Sequence, residues 1–152
     1  FNKTYHVLLQ LESVALKGKP LSSASALVQA MFMAEVESQL LTAGHDLDAV
    51  LAPITIAASR GDETYTRLNG QAQTLKPNDM FMRDARGILS SVIYGPDQRT
   101  QIRPETRRAL FVTYAPQGIG EEALRRHLEK IEEYVRVVSP EAERETMGVW
   151  GG

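Results

Sequence analysis

The sequence predicts an α+β fold, with a mixed, mostly antiparallel sheet packed against helices. Three observations predict it. Apolar residues recur at helical spacing near both ends of the chain. The middle carries short β-branched runs punctuated by turn residues. Between two of those runs stands Asn69-Gly70, the dipeptide that most favours a tight hairpin. Helices at the ends with strands between them point to α+β.

Each element has its own signal. From about Thr4 to Lys17, Val7, Leu8, Leu11, Val14 and Ala15 fall at helical spacing. Gly18 then suits a C-terminal cap, and Pro20 cannot continue the helix. Ser22 and Ser23 are candidate N-caps for a second helix, "ASALVQAMFMAEVESQLLTA". Its apolar residues occupy most of the circumference, as in a helix surrounded by other elements, and Gly44 is expected to end it. "PITIAAS", "TYTRL", "QAQTL", "MFMR", "ILSSVIYG" and "ALFVTYA" read as strands. The last helix, "IGEEALRRHLEKIEEYVRVV", spaces Leu124, Leu128, Ile131, Val135 and Val138 by fours and threes. Glu121 and Glu122 suit its positive N-terminal end, and Pro140 follows it.

Bulk composition narrows the function classes. The chain has 152 residues, 43% of them hydrophobic, which is enough for one substantial core. A formal net charge of −2 gives no general attraction to nucleic acid or membrane. No apolar run approaches the roughly 20 residues a membrane span needs. Cysteine is absent, which removes disulfides, thiolate catalysis and cysteine metal sites. That fits a reducing compartment, and a cytoplasmic location is expected. Residues 1–146 are expected to form a single domain and 147–152 a tail.

Few constellations carry chemistry. No histidine has a second histidine or carboxylate at ligand spacing on a helix face, so neither metal nor cofactor is expected. His6 and His127 fall in helices, as surface or boundary residues. His45 has two readings. In one it is exposed, beside an Asp46 that caps the "DLDAV" turn; in the other it stands at a pocket rim, able to act on protons near neutral pH. No G-x-S-x-G elbow is present, and Ser90-Ser91 lies in a strand. Gly118 and Gly120 form a joint into the last helix or a weak anion seat. Charge is divided along the chain. Residues 83–108 hold six arginines against Asp84, Asp97 and Glu105, while 121–145 hold eight glutamates against five bases. Guanidinium forks suit phosphate or carboxylate ligands, and they equally suit ion pairs with that acidic helix.

Several stretches stand in a familiar order: "GHDLDAV", "RGDETYTRLNG", "KPNDMFMRDARGILSSVIYGPDQRTQIRPETRRALFV" and the helix from about Gly120. Over roughly Glu12 to Arg144 the chain resembles the B3/B4 domain of the bacterial phenylalanyl-tRNA synthetase beta subunit and its free-standing relatives. The most specific part is the pattern D-x-R-G, strand, D-x-R-T-x-I-x-P-E-T, from Asp84 to Thr106. The resemblance implies a B3/B4-like fold that binds tRNA or aminoacyl-tRNA, and hydrolysis of mischarged aminoacyl-tRNA in trans. It also implies chain ahead of Phe1, since free-standing relatives extend further. A second site that recognises an added hydroxyl removes errors that a hydrophobic pocket cannot reject. The sequence departs from the family twice. "SSVIYG" stands where relatives carry an arginine- and tryptophan-containing run, and no glutamate follows in Val112-Thr113-Tyr114 to recognise a tyrosine hydroxyl.

The candidate substrate-binding residues are therefore His45, Ser91, Tyr94, Arg99, Thr100 and Thr106. The candidate nucleic-acid contacts are Arg83, Arg86, Arg103, Arg107 and Arg108. The expected cavity lies between the long helix and the sheet face carrying Ser91, Arg99 and Thr106, with His45 at its edge. No catalytic residue is assigned. The competing reading is a binding protein for a small amino-acid-like carboxylate, without RNA.

Overall fold

The computed structural model of the protein describes residues 4–20 and 25–150. It has three helices and eight strands in an α+β arrangement: α1 (His6–Ala15), α2 (Ala26–Ser38), β1 (Leu41–Asp46), β2 (Thr55–Ala58), β3 (Thr64–Thr66), β4 (Ala72–Thr74), β5 (Met80–Arg83), β6 (Ile88–Ser91), β7 (Gly95–Pro96), β8 (Ala109–Tyr114) and α3 (Glu121–Val138). Ser22 and Ser23 lie outside the described residues, and the extended Ser25 precedes α2. The chain divides into two compact units. One is built from the residues up to Thr42 and from Phe111 onward, the other from Ala43–Leu110. Both divisions fall inside strands, β1 and β8, which pair with each other as a two-stranded sheet.

The helical unit rests on α2 and α3. Met31, Ala34 and Ile131 form its buried centre, with Val28, Phe32, Leu128, Val135 and Phe111 of β8 packed around it. Of the stripe that the four-and-three spacing of α3 implies, Ile131 is buried, Leu124, Leu128 and Val135 are half-buried, and Val138 emerges into solvent. Its outer face is laced by ion pairs one turn apart: Glu121–Arg125 at 2.6 Å, Glu122–Arg126 at 3.5 Å and Glu132–Arg136 at 2.8 Å. In α1 only Val7 is buried, and Leu8 and Leu9 remain exposed.

The second helix is shorter than its apolar run. It ends at Ser38, because Gln39 takes a left-handed conformation (φ 61°) and returns its N–H to Glu35 O at 2.7 Å. Residues 41–46 then form β1, with Thr42, Ala43 and His45 buried. Gly44 is a strand residue and not the helix stop. Periodicity does not separate the two states here, since a short apolar run fits a buried strand as well as a helix.

The sheet unit contains a four-stranded sheet in the order β2-β5-β6-β7, every pair antiparallel, and a separate β3-β4 hairpin. Asn69-Gly70 lies where expected, but the loop has three residues. Arg67 and Gln71 close it, and Gly70 supplies φ +79°. "ILSSVIYG" is not one strand. It folds back after Ser91, whose Oγ accepts from Tyr94 N at 3.0 Å, and Gly95–Pro96 returns as an edge. Edge strand β2 is exposed at all four positions. Tyr65, Leu75, Phe81 and Ile88 form the small core, and Tyr94 packs against it.

Gly61 sits in the loop that precedes β3, with φ +104°. A Cβ there would lie 2.7 Å from Pro77 Cγ and 2.9 Å from Pro77 Cδ. Gly61→Ala combines a strained backbone with a steric clash and is expected to lower stability by about 2–4 kcal/mol in urea melts. Gly70→Ala meets no neighbour and carries only the backbone term, about 1–2 kcal/mol.

Candidate functional site

The segment Ala43–Val50 and the loop Asp97–Arg108 are fastened to each other at several points. Asp46 N donates to Thr100 O at 2.8 Å, and Leu47 N to Arg108 O at 2.9 Å. Thr106 Oγ1 donates to Asp46 Oδ2 at 2.8 Å and accepts from Arg103 N at 3.0 Å, which closes the Pro104-Glu105 turn. Asp46 Oδ1 meanwhile accepts from Asp48 N and caps the single 3-10 turn Leu47–Ala49, the capping role its sequence position indicates. Arg108 reaches Asp48 at 2.9 Å on the surface.

A second fastening runs through Asp84, which is 2% exposed. Its carboxylate accepts from the amides of Leu51 (2.9 Å), Arg86 (2.8 Å) and Gly87 (3.0 Å), and from both terminal nitrogens of Arg99 at 3.0 Å. Burial works to raise this carboxyl, but those amides and the guanidinium hold it below the usual carboxylate range. Arg99 Nη1 also donates to Ala49 O at 2.9 Å. The D-x-R-G and D-x-R-T elements are therefore two halves of one bidentate pair.

Beneath this pair lies His45, fully buried at 0% exposure. It is neither exposed nor at a rim, so neither sequence reading describes it. Its Nδ1 is 2.8 Å from Thr100 Oγ1. The Thr100 hydroxyl gives its own proton to Asp97 Oδ1, so it has only a lone pair to offer the ring. Nδ1 must then carry the imidazole proton, leaving Nε2 as a bare acceptor, and Nε2 is buried without a partner. Burial, reinforced by the Arg99 charge, lowers His45 to about 4, so the ring is neutral at physiological pH.

Ser91 and Tyr94 belong to a different cluster. Ser91 Oγ donates to Asp79 Oδ2 at 2.5 Å, and Ile93 N donates to the same carboxylate at 3.3 Å. The structure thus joins His45, Arg99, Thr100 and Thr106 through shared partners, and holds Ser91 with Tyr94 beside the small core. Asp46, read from sequence as a cap, Asp97, read as a motif residue, and Asp79 are members that the sequence did not place at the site. The first two stand beside or near selected residues, but a carboxylate's partner is not written in its neighbours.

The arginines divide in a way that charge counting could not show. Arg99 is internal to the network. Arg83, Arg86, Arg103 and Arg107 are exposed, and their guanidinium groups have no hydrogen-bond or ion-pair partner among the described residues. Of the α3 glutamates, Glu121, Glu122, Glu132 and Glu133 pair with bases of their own helix. Residues 43–110 carry nine basic side chains against eight acidic, although Asp79, Asp84 and Asp97 are buried. Among the described residues, no group of three or more potential ligands could hold a metal, and no helix is long and apolar enough to cross a membrane.

This is an α+β fold carrying a clamped, arginine-fringed loop. The backbone fold, and not the arginine set, is similar to an N-terminal fragment of the phenylalanyl-tRNA synthetase beta subunit from Pyrococcus horikoshii, at a TM-score of 0.61 and 16% identity over 76% of this chain. The match spans 41% of that fragment's length. No family model and no curated protein matches the chain. The likeness shows the fold alone.

Proposed function

We propose that the chain is a free-standing B3/B4-like domain that binds tRNA or aminoacyl-tRNA through the β5–β6 turn and the 97–108 loop. One observation carries this reading: Arg83, Arg86, Arg103 and Arg107 are exposed without acid partners on segments that Asp84 and Arg99 tie together. Free guanidinium groups on a rigid base suit phosphate oxygens and need little reorganisation on binding. The synthetase-related fold supports the same partner, and the cytoplasm is where that partner is met. Arg108 joins the set as a weaker contact, since binding must compete with Asp48. Hydrolysis of a mischarged ester in trans belongs to this reading.

Filter binding of total tRNA across a salt series tests it. Affinity is expected to fall with salt, and each phosphate contact removed should lower the slope by about 1. The variant with all four arginines changed to alanine is expected to lose about 3–4 units of slope if every group meets a phosphate. Absence of binding at low salt removes the proposal.

The unpartnered Nε2 of His45 favours the second reading, a small amino-acid-like ligand bound without RNA. An ammonium or hydroxyl group would satisfy that nitrogen. A thermal-shift screen with free amino acids separates the two, because a ligand bound only to the folded state raises the melting temperature.

A further inference from the structure

The helical unit holds a second histidine, outside the site above, with a serine against it. His127 of α3 is 1% exposed, a buried residue where the sequence places a boundary one. Its Nδ1 is 2.6 Å from Ser38 Oγ, and its Nε2 is 2.7 Å from Thr42 Oγ1, which in turn is 3.1 Å from Thr113 Oγ1. Ser38 is exposed, at the last turn of α2. Ser38 and His127 both line an open hollow of about 550 Å³, together with Leu40, Ile119, Arg126 and Lys130. An accessible hydroxyl, a base within hydrogen-bond reach and a third group that orients the base are the parts of an activated nucleophile.

We propose that Ser38 and His127 form a nucleophile–base pair that accepts an acyl group from a small activated ester entering this hollow. One consistent proton arrangement serves the chemistry. Ser38 Oγ–H donates to His127 Nδ1, His127 Nε2–H donates to Thr42 Oγ1, and the Thr42 hydroxyl donates to Thr113 Oγ1. Attack forms the bond from Ser38 Oγ to the acyl carbon and passes the serine proton to Nδ1. The ester C–O bond then breaks, and the leaving oxygen takes that proton. Water completes the cycle: it gives a proton to Nδ1 and its hydroxide to the acyl carbon, and Ser38 leaves and is reprotonated. Glu37, Glu129 and Glu133 also line the hollow, and its two cations are engaged, Arg126 with Glu122 and Lys130 with Glu37 and Glu133, so an ester without a carboxylate suits it best. Burial lowers the pKa of His127, which keeps the ring neutral and able to accept the proton.

The competing arrangement is purely structural. Ser38 Oγ donates to Ala34 O at 2.8 Å, the back-bond of a helical serine to the preceding turn, which leaves it only a lone pair for His127 Nδ1; attack requires that hydroxyl to swing from Ala34 O to Nδ1. In that arrangement His127 carries its proton on Nδ1, and the serine is inert. The two differ in which ring nitrogen is protonated, so they can be told apart without any substitution. Long-range ¹H–¹⁵N NMR correlations on the full chain are expected to show His127 as the Nε2–H tautomer; an Nδ1–H tautomer overturns the proposal. A fluorophosphonate probe, read by peptide mass spectrometry, is expected to leave one adduct on Ser38, absent from Ser38→Ala. The labelling rate should fall at least tenfold in His127→Gln, and in the wild type it should fall as the pH drops through the His127 pKa. No adduct on Ser38, or a labelling rate independent of pH and of His127, also overturns it. If His127→Gln does not fold, the wild-type pH profile and the tautomer still decide. Failure here leaves the RNA-binding reading intact, because the residues involved are different.

Discussion

Asp84→Ala is expected to destabilise the protein by about 4 kcal/mol, the largest effect of any single substitution at the candidate site. Removing one partner of a buried ion pair costs about 3–5 kcal/mol, because the surviving charge and its donors lose their acceptor. Asp84 serves five donors: three backbone amides and the two terminal nitrogens of Arg99. Arg99→Ala is expected to cost about half as much. It leaves the three amides in place, and the Arg99 side chain is already 31% exposed, so solvent screens part of the pair. Asp84→Asn should fall between them, keeping the size but not the charge. Urea melts give these values, and a double-mutant cycle isolates the pair. The functional consequence follows from the anchor. Arg83 and Arg86 flank Asp84, and Arg103 and Arg107 follow Arg99, so both arginine groups lose a tether at once. Arg99→Ala should weaken tRNA binding while leaving the salt slope nearly unchanged, since positioning is lost and phosphate contacts are not. A loss below about 1 kcal/mol for Asp84→Ala would show that the two segments are held some other way.

Most of the fold was legible because its signals are local. The α3 stripe is written in steps of four and three, and a Gly-containing turn forces a hairpin wherever alternating runs flank it. The failures were of another kind. The α2–β1 boundary depends on a left-handed Gln39, and glutamine is no stop signal, so the helical pattern ran on into a strand. The β6–β7 turn is held by a serine hydroxyl that the sequence shows only as strand-forming context. At the site, the D-x-R-G and D-x-R-T stretches were conspicuous, but their meaning was not. The sequence sets Arg99 apart as a substrate contact, and not as the partner of Asp84. Only the three-dimensional pairing with Asp84 separates an internal clamp from four free guanidinium groups. Buried polar residues were the least legible. Glu35 sits in an apolar helix as an ordinary solvated glutamate would, and His127 follows two arginines that are exposed. Their burial depends on what the rest of the fold lays against them.

Glu35 and His45 carry the second large prediction, because their effects on pH stability are opposite and nearly equal. Glu35 is 1% exposed and accepts from Gln10 Nε2 at 2.9 Å and Thr42 N at 2.7 Å. Burial outweighs those two bonds and raises its pKa from 4.5 to about 7. The folded state therefore holds the proton more tightly than the unfolded chain. That stabilisation is fully present below 4.5 and is lost as pH rises through 7, a swing of about 3 kcal/mol. His45 runs the other way. Its pKa drops from 6.5 to about 4, so the unfolded chain takes up the proton first. Its contribution is intact above 6.5 and is lost as pH falls to 4, again about 3 kcal/mol. Between pH 7 and 4 the two terms largely cancel, and their sum is nearly flat. Each single variant should expose the other group. Glu35→Gln, which keeps the shape and removes the charge, should be more stable than the wild type by up to about 3 kcal/mol above pH 7. That advantage should vanish by pH 4.5, because protonated Glu35 is already neutral there. His45→Gln loses packing at every pH, but its deficit relative to the wild type should shrink by about 3 kcal/mol as pH falls from 6.5 to 4. Other carboxylates titrate in the same range, yet they are common to all three proteins and drop out of the differences. Urea melts at half-unit intervals from pH 4 to 8 provide the curves. Parallel curves for the wild type and Glu35→Gln would mean that Glu35 is ionised and solvated in the folded protein, and that this account of its burial is wrong.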